Sequence, residues 1–284
     1  MSSNAIESPD STIRADLASL DPDSSSSSEN NTEKLELLAE QLRSNNFKKN
    51  LQAVRDLVSM KTEAADEVLV ESLQNRGDIH PYSASDRNEE PPADPLPNQQ
   101  IAVCGAAYQH LFKAPSNAAK SFIEQTPAGI VRPVSDREVD YSELQQLLVQ
   151  QNYQAADKLT TELMCAIAGE AALKRKWVYF TEVSQFPNAD ILTIDTLWRT
   201  YSEDKFGWSK QRELWLRLGR DWERLWPQID WQSSEGAWTR YPTEFTWELS
   251  SAPIAHLPLF NQLRGVRVMN ALLEHPVWSR QTSE

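Results

Sequence analysis

Phe260, Arg264 and Arg267 fall at i, i+4 and i+7 in a stretch that reads as a helix opening near Pro258. That spacing places one aromatic ring and two guanidinium groups on a single helical face. Immediately before them, Trp238, Tyr241, Phe245 and Trp247 crowd into a proline-punctuated loop. Aromatic rings beside paired arginines suit a flat apolar ligand with carboxylates at its rim. The rings would cover the disc, and each guanidinium would grip a carboxylate with two parallel hydrogen bonds. The same composition also fits a hydrophobic loop packed on its own domain beside two solvated arginines, because most aromatic clusters are core.

Other chemistry is hard to find. His80, His110, His256 and His275 have no metal-ligand spacing. There is no phosphate-binding glycine loop, no nucleophile elbow and no CxxC pair. His256, in AHLPLF, could serve as an axial ligand to a macrocycle-bound metal, but a hydrogen-bonded structural histidine is the favoured reading. Asp190 and Asp195 are accounted for by helix capping and solvated faces. The run Lys174-Arg175-Lys176 reads as a solvated helix end. A binding protein therefore outranks an enzyme.

The elements that must position the aromatic loop are nearly all helical. Residues 1–32, rich in Ser, Asp, Asn and Glu, cannot bury enough apolar surface to offset their ordering entropy and read as a disordered tail. Residues 33–127 form a small all-α unit of short amphipathic helices, interrupted by a proline-rich loop at 78–99. Residues 128–139 lack periodicity and read as a crossing segment. The second domain, 140–279, opens with a capping box at Ser142 and Gln145. Helices follow at Tyr153–Ala168, near Asn188 or Asp190, and from a cap at Ser209 to Gly219, and the last runs from Pro258 to Glu274. That last helix carries a core stripe of Leu259, Leu263, Val266, Met269 and Leu273. The expected fold class is all-α: a helical-bundle unit followed by a second all-α domain.

The charge of −13 is uneven, with 9 Lys+Arg against 19 Asp+Glu in residues 1–100. Such acidity argues against nucleic acid as a partner. Two distant cysteines make no disulfide framework and point to a reducing compartment. No run approaches the roughly 18 apolar residues of a membrane span, and no signal peptide is visible. A soluble cytoplasmic protein is expected.

Three stretches carry a resemblance. The run QAADKLT (154–160), the segment ALKRKWVYFTEVSQFPNADILTIDTLWRTYSEDKFGWSKQ (172–211) and the run TRYPTEFTWELSSAPIAHLPLFNQLRGVRVM (239–269) are similar to the genomes-uncoupled-four family. The likeness covers about residues 140–279. The N-terminal unit resembles the helical extension of cyanobacterial members. The resemblance implies a domain cupped around a porphyrin, binding of protoporphyrin IX and Mg-protoporphyrin IX, and stimulation of magnesium chelatase through its large porphyrin-binding subunit. Family members are not themselves chelatases. It also implies a monomer without a catalytic cofactor, and partner-mediated, peripheral association with thylakoid membranes. Carried over by position, Arg264 and Arg267 match the family's basic pair with Asn261 beside them. Trp238 to Trp247 match its mobile flap, and Phe206 to Ser209, including Trp208, match a turn near the cavity. Trp208 stands where Phe is frequent, and Ala255 where Gly is usual, so a narrower cavity and a stiffer hinge are expected. A protein-interaction module docking a partner helix, and a tetrapyrrole sensor, stay open as alternatives.

Overall fold

The computed structural model describes residues 23–77, 98–259 and 266–280. The described chain is helical and contains no strand; one isolated bridge joins Gln232 to Trp238. The helices are α1 (Asp23–Leu42), α2 (Phe47–Met60), α3 (Glu63–Gln74), α4 (Asn98–Lys113), α5 (Asn117–Gln125), α6 (Ser142–Val149), α7 (Tyr153–Ala168), α8 (Glu170–Arg175), α9 (Phe180–Val183), α10 (Asn188–Thr200), α11 (Trp208–Arg217), α12 (Trp222–Gln228) and α13 (Val266–Leu273).

Several boundaries follow from local chemistry. Asn46, Thr62, Ser116, Asn152 and Asp221 each accept a backbone N–H from the first turn of the helix they precede, supplying partners to donors that a helix leaves unpaired. The tail expected over 1–32 is partly helix, since α1 already runs from Asp23. Once Leu38 and Leu42 are docked in the core, each further helical residue adds a hydrogen bond without a new nucleation cost. The proline-rich loop expected at 78–99 lies mostly outside the described residues, and α4 begins at Asn98.

The expected capping box at α6 is absent. Ser142 is the first helical residue, and its N–H is taken by Asp140. Gln145 is buried instead, accepting from Val131 N–H and the Tyr201 hydroxyl while donating to the Ala128 and Val131 carbonyls. Asp190 and Asp195 are likewise not solvated. Asp190 is buried and accepts from Ser135, the Asp136 N–H and the Tyr141 hydroxyl, pinning the crossing segment 128–139. Asp195 takes the Ser209 N–H at 2.8 Å and so serves the N-terminus of α11 from another helix. Ser209 is therefore not the cap expected of it.

The centre of the fold is α10. Ten of its residues, from Ala189 to Thr200, are buried, as expected of a helix covered on all sides. α4 crosses it so closely that Gly105 lies against the Thr200 carbonyl, where no larger residue fits. Gln109 on α4 donates to the carbonyls of Leu148 and Tyr201, both at 2.9 Å. The apolar cluster that begins at Leu38 continues without a break to Trp278.

Candidate functional site

The loop between α12 and α13 is held from below. Gly207 N–H donates to the Leu257 carbonyl at 2.9 Å, and Ala255 N–H to that of Lys205 at 2.7 Å. Gln211 Nε2 reaches both the Ala255 and Pro258 carbonyls, and Lys205 Nζ reaches that of Leu249. Gly207 has φ +127, and a Cβ there would meet Asp195 Oδ1 and Arg199 at 2.9 Å, so this tight approach requires glycine. Ala255, with φ +68, sits in the left-handed region where glycine is less strained.

This geometry changes the role of the turn at 206–209. Phe206 is fully buried, with its ring edge-on to Tyr153 at 5.4 Å and near Trp198. Trp208 is buried at the start of α11. Both rings are covered by other parts of the chain. The turn also anchors the loop through the Gly207 backbone. Burial wins here because two large rings in the helical core remove more apolar area from water than a cavity wall would.

The other aromatic residues divide by depth. Phe245 is buried, stacked on Trp247 at 5.8 Å and tilted on His256 at 5.2 Å. Tyr241 meets the Phe245 and Trp247 rings edge-on at 5.9 Å and is 43% exposed. Trp247 is half-buried and donates its Nε1–H to the Pro242 carbonyl. Trp215, Trp222, Trp226 and Trp231 form a column at centroid spacings of 4.8, 5.1 and 5.6 Å, and Trp238, 47% exposed, packs on Trp226 at 5.7 Å.

Phe260, Asn261 and Arg264 lie outside the described residues. Arg267 is exposed, and its guanidinium sits 5.8 Å above the Phe180 ring, within cation–π range. The expected helix start at Pro258 is not observed, since Pro258 and Leu259 are non-helical. The Leu259 N–H is drawn away to Asp157 Oδ1 at 2.5 Å. The core face of α13 is Val268, Met269, Leu272 and Leu273, and Val266 is exposed. Packing against α9 and α11 rotates the helix from the face that the spacing alone indicated.

A second aromatic edge was read from sequence only as a basic helix end. Trp177 and Tyr179 flank the Arg175 guanidinium at 4.6 and 4.3 Å, and Glu182 pairs with it at 2.6 Å. Tyr179 and Phe180 are 46% and 41% exposed. The signal was present in the sequence: three rings within four residues after a basic run. Of eight large apolar side chains left exposed among the described residues, seven lie at 173–180 or 238–266. The first stretch reaches α13 through Phe180 beneath Arg267, Val266 opens that helix, and exposed apolar surface concentrated in few segments marks a binding site.

The titratable groups are unusual. Asp157 on α7 is buried, and burial pushes its carboxyl up to about 7 against the lowering effect of the Leu259 N–H and the Tyr241 hydroxyl. Burial and the nearby Asp157 raise Tyr241 to about 12. His256 is buried with its titration pushed down, and its Nδ1 pairs with the Ile229 carbonyl at 2.6 Å. Its ring lies behind Phe245, which favours the structural reading over axial ligation.

Comparison with known proteins agrees with the quoted motifs. The family model described as GUN4-like, the genomes-uncoupled-four family, matches residues 134–276. The chain belongs to the GUN4-like family. The Ycf53-like protein of Synechocystis is 45% identical over 187 residues, covering 66% of this chain and 79% of that protein. The chloroplastic tetrapyrrole-binding protein of Arabidopsis thaliana is 38% identical over 143 residues, covering 48% and 54% respectively. The structure of GUN4 from Chlamydomonas reinhardtii covers 52% of this chain and 94% of its own at 36% identity, with a TM-score of 0.49. The GUN4-like region, residues 134–276, contains the anchored loop, the Trp177–Phe180 edge and all of α13. Among the described residues, no helix is long and apolar enough to cross a membrane.

Proposed function

We propose that this GUN4-like chain is a non-catalytic porphyrin carrier. It binds protoporphyrin IX and Mg-protoporphyrin IX and stimulates magnesium chelatase through that enzyme's large porphyrin-binding subunit. It acts as a monomer, at most peripherally associated with thylakoid membranes. The observation that carries the reading is the concentration of exposed apolar side chains in two stretches of the GUN4-like region, with the Arg267 guanidinium over Phe180 of one of them. The name of the Arabidopsis relative supports the ligand class, and the family motifs support the chelatase.

The residues fit the group. Trp238, Tyr241 and Trp247 on one edge, and Tyr179 and Phe180 on the other, offer ring faces to an apolar disc. Each well-placed aromatic contact is worth about 0.5–1.5 kcal/mol beyond area burial. Arg267 can take a propionate as a charge-assisted pair, and by family resemblance Arg264 and Asn261 serve the other contact. A porphyrin supplies the chemistry that the chelatase acts on; this chain holds it, orients it and releases it.

The test is a titration of the full chain with deuteroporphyrin IX and its Mg form, followed by tryptophan quenching. Saturable one-to-one binding is expected at micromolar concentration or below. Arg264→Ala and Arg267→Ala should each lose about 1.5–3 kcal/mol, or roughly ten- to a hundredfold in affinity. Wild-type affinity in both variants overturns the propionate assignment, and the absence of saturable quenching overturns the carrier reading. Addition of the chain to an assembled magnesium chelatase should raise its turnover.

A further inference from the structure

The turn that closes α10 is gripped from two sides. Its backbone is sharply bent: Glu203 and Asp204 both lie in the left-handed region, at φ 52 and 59. Residues other than glycine keep that conformation only where their surroundings enforce it. From one side come two helices that precede the GUN4-like region. Gln109 Nε2 on α4 donates to the Tyr201 carbonyl at 2.9 Å, and Arg55 Nη2 on α2 pairs with Glu203 Oε2 at 2.5 Å. From the other side comes the aromatic loop. The Lys205 carbonyl accepts the Ala255 N–H at 2.7 Å, Gly207 N–H donates to the Leu257 carbonyl, and Lys205 Nζ reaches the Leu249 carbonyl at 2.6 Å. We propose that Arg55 is a positioning residue for the porphyrin site. Through Glu203 it holds the 201–205 turn, and the N-terminal helical unit thereby sets how tightly the aromatic loop is held.

This inference rests on the carrier reading for its purpose but not for its physics. The two left-handed residues have different holders. Asp204 is paired with Arg199 and Lys210, both in the GUN4-like region. Glu203 is paired with Arg55, which lies 148 residues away and outside that region. Releasing Glu203 frees the bend to relax toward ordinary backbone angles. Relaxation there turns Lys205, whose carbonyl and ammonium are both loop contacts. The turn is thus one element whose conformation is biased from the N-terminal unit and read by the loop, which is what coupling between them requires. The pair is only partly buried, the side chains of Arg55 and Glu203 being 54% and 23% exposed. Its loss should therefore shift the loop equilibrium by no more than about two- to fivefold, enough to tune the site without making or breaking it.

Hydrogen–deuterium exchange of the ligand-free full chain tests the coupling, with residues 249–259 of the loop compared with residues 170–183, an exposed edge of the same region. Arg55→Glu sets two carboxylates face to face and should speed loop exchange about two- to fivefold, while residues 170–183 keep the wild-type rate. Arg55→Gln, neutral and without repulsion, should speed it about twofold. Arg55→Lys keeps the charge and should restore wild-type protection, an outcome that loss of packing alone would not produce. Unchanged loop exchange in Arg55→Glu overturns the proposal, as does an equal rise over 170–183, or an Arg55→Lys variant as loose as Arg55→Glu. In a second arm, deuteroporphyrin IX should dissociate from Arg55→Glu faster by the same factor as the loop loosens, and from Arg55→Lys at the wild-type rate. A loosened loop with unchanged dissociation overturns the role at the porphyrin site. The exchange arm contains no porphyrin, so a wild-type chain that fails to bind porphyrin overturns the carrier reading and leaves the hold of the N-terminal unit on the loop supported.

Discussion

Gly105→Ala is the substitution whose cost can be read most directly from the packing. The added Cβ would lie 1.8 Å from the Thr200 carbonyl oxygen, 2.6 Å from its carbon and 3.0 Å from Thr200 Cγ2. Ordinary contact between such atoms is about 3.5–4.0 Å, so α4 and α10 must separate by roughly 1.5 Å or more. The obstacle is backbone at the end of the central helix, which no rotamer change can relieve. Alanine improves helix propensity by about 1 kcal/mol. Against this stand overpacking, about 1–3 kcal/mol, and the stretching of the two buried Gln109 hydrogen bonds, about 1–3 kcal/mol if their groups are left unpaired. The net loss is about 1–5 kcal/mol. At about 2–4 °C per kcal/mol for a chain of this size, Tm should fall on the order of 10 °C. Calorimetry of the variant beside the wild type measures it, with deuteroporphyrin binding well below Tm as a control for an intact loop. A Tm within one degree of wild type would refute the close α4–α10 crossing.

Other substitutions probe different parts of the fold. Asp204 is paired at 2.8 Å with Arg199 and at 3.2 Å with Lys210, all three side chains being at most 15% exposed. Asp204→Asn should cost about 3–5 kcal/mol in urea unfolding, because it removes the carboxylate paired with the buried Arg199, whereas Lys210 keeps Glu213. Tyr201→Phe removes a hydroxyl that donates to Gln145 and accepts from the Ile130 N–H; about 1–3 kcal/mol should be lost, with little effect on ligand affinity. The pH dependence of stability isolates Asp157. Its folded-state titration is raised to about 7, so its contribution is present at low pH and lost as pH rises from about 4 to 7. Relative to the wild type, Asp157→Asn should gain up to about 4 kcal/mol over that interval, as measured by denaturation at fixed pH. His256 and His275 act in the opposite sense in both proteins, since burial lowers each; their contribution is lost as pH falls below about 6.5.

Much of the helical framework was legible because it depends on neighbours in the chain. α7 ends at Ala168 before Gly169, as its periodicity and the glycine indicate. Burial along α10 also follows its apolar residues. Asp190, Asp195 and Gln145 were misread for the opposite reason: their partners lie 14 or more residues away in sequence, and no local spacing reveals such a pairing. The site shows the same division. Tyr241 and Trp247 were placed in an aromatic loop from residue type and the neighbouring prolines. The burial of Phe206 and Trp208, and the addition of Tyr179 and Phe180 beside Arg267, followed only from how the helices pack.

By itself the sequence determined the all-α class and the segments rich in ring and guanidinium chemistry, because composition and short-range periodicity suffice for those, while three quoted motifs carried the resemblance to the family. Tertiary structure alone decided which rings face solvent, which face of α13 is core, and that a buried carboxyl on α7 takes the Leu259 N–H. Each of those depends on which distant surfaces exclude water from a group, and that is a property of the packed chain.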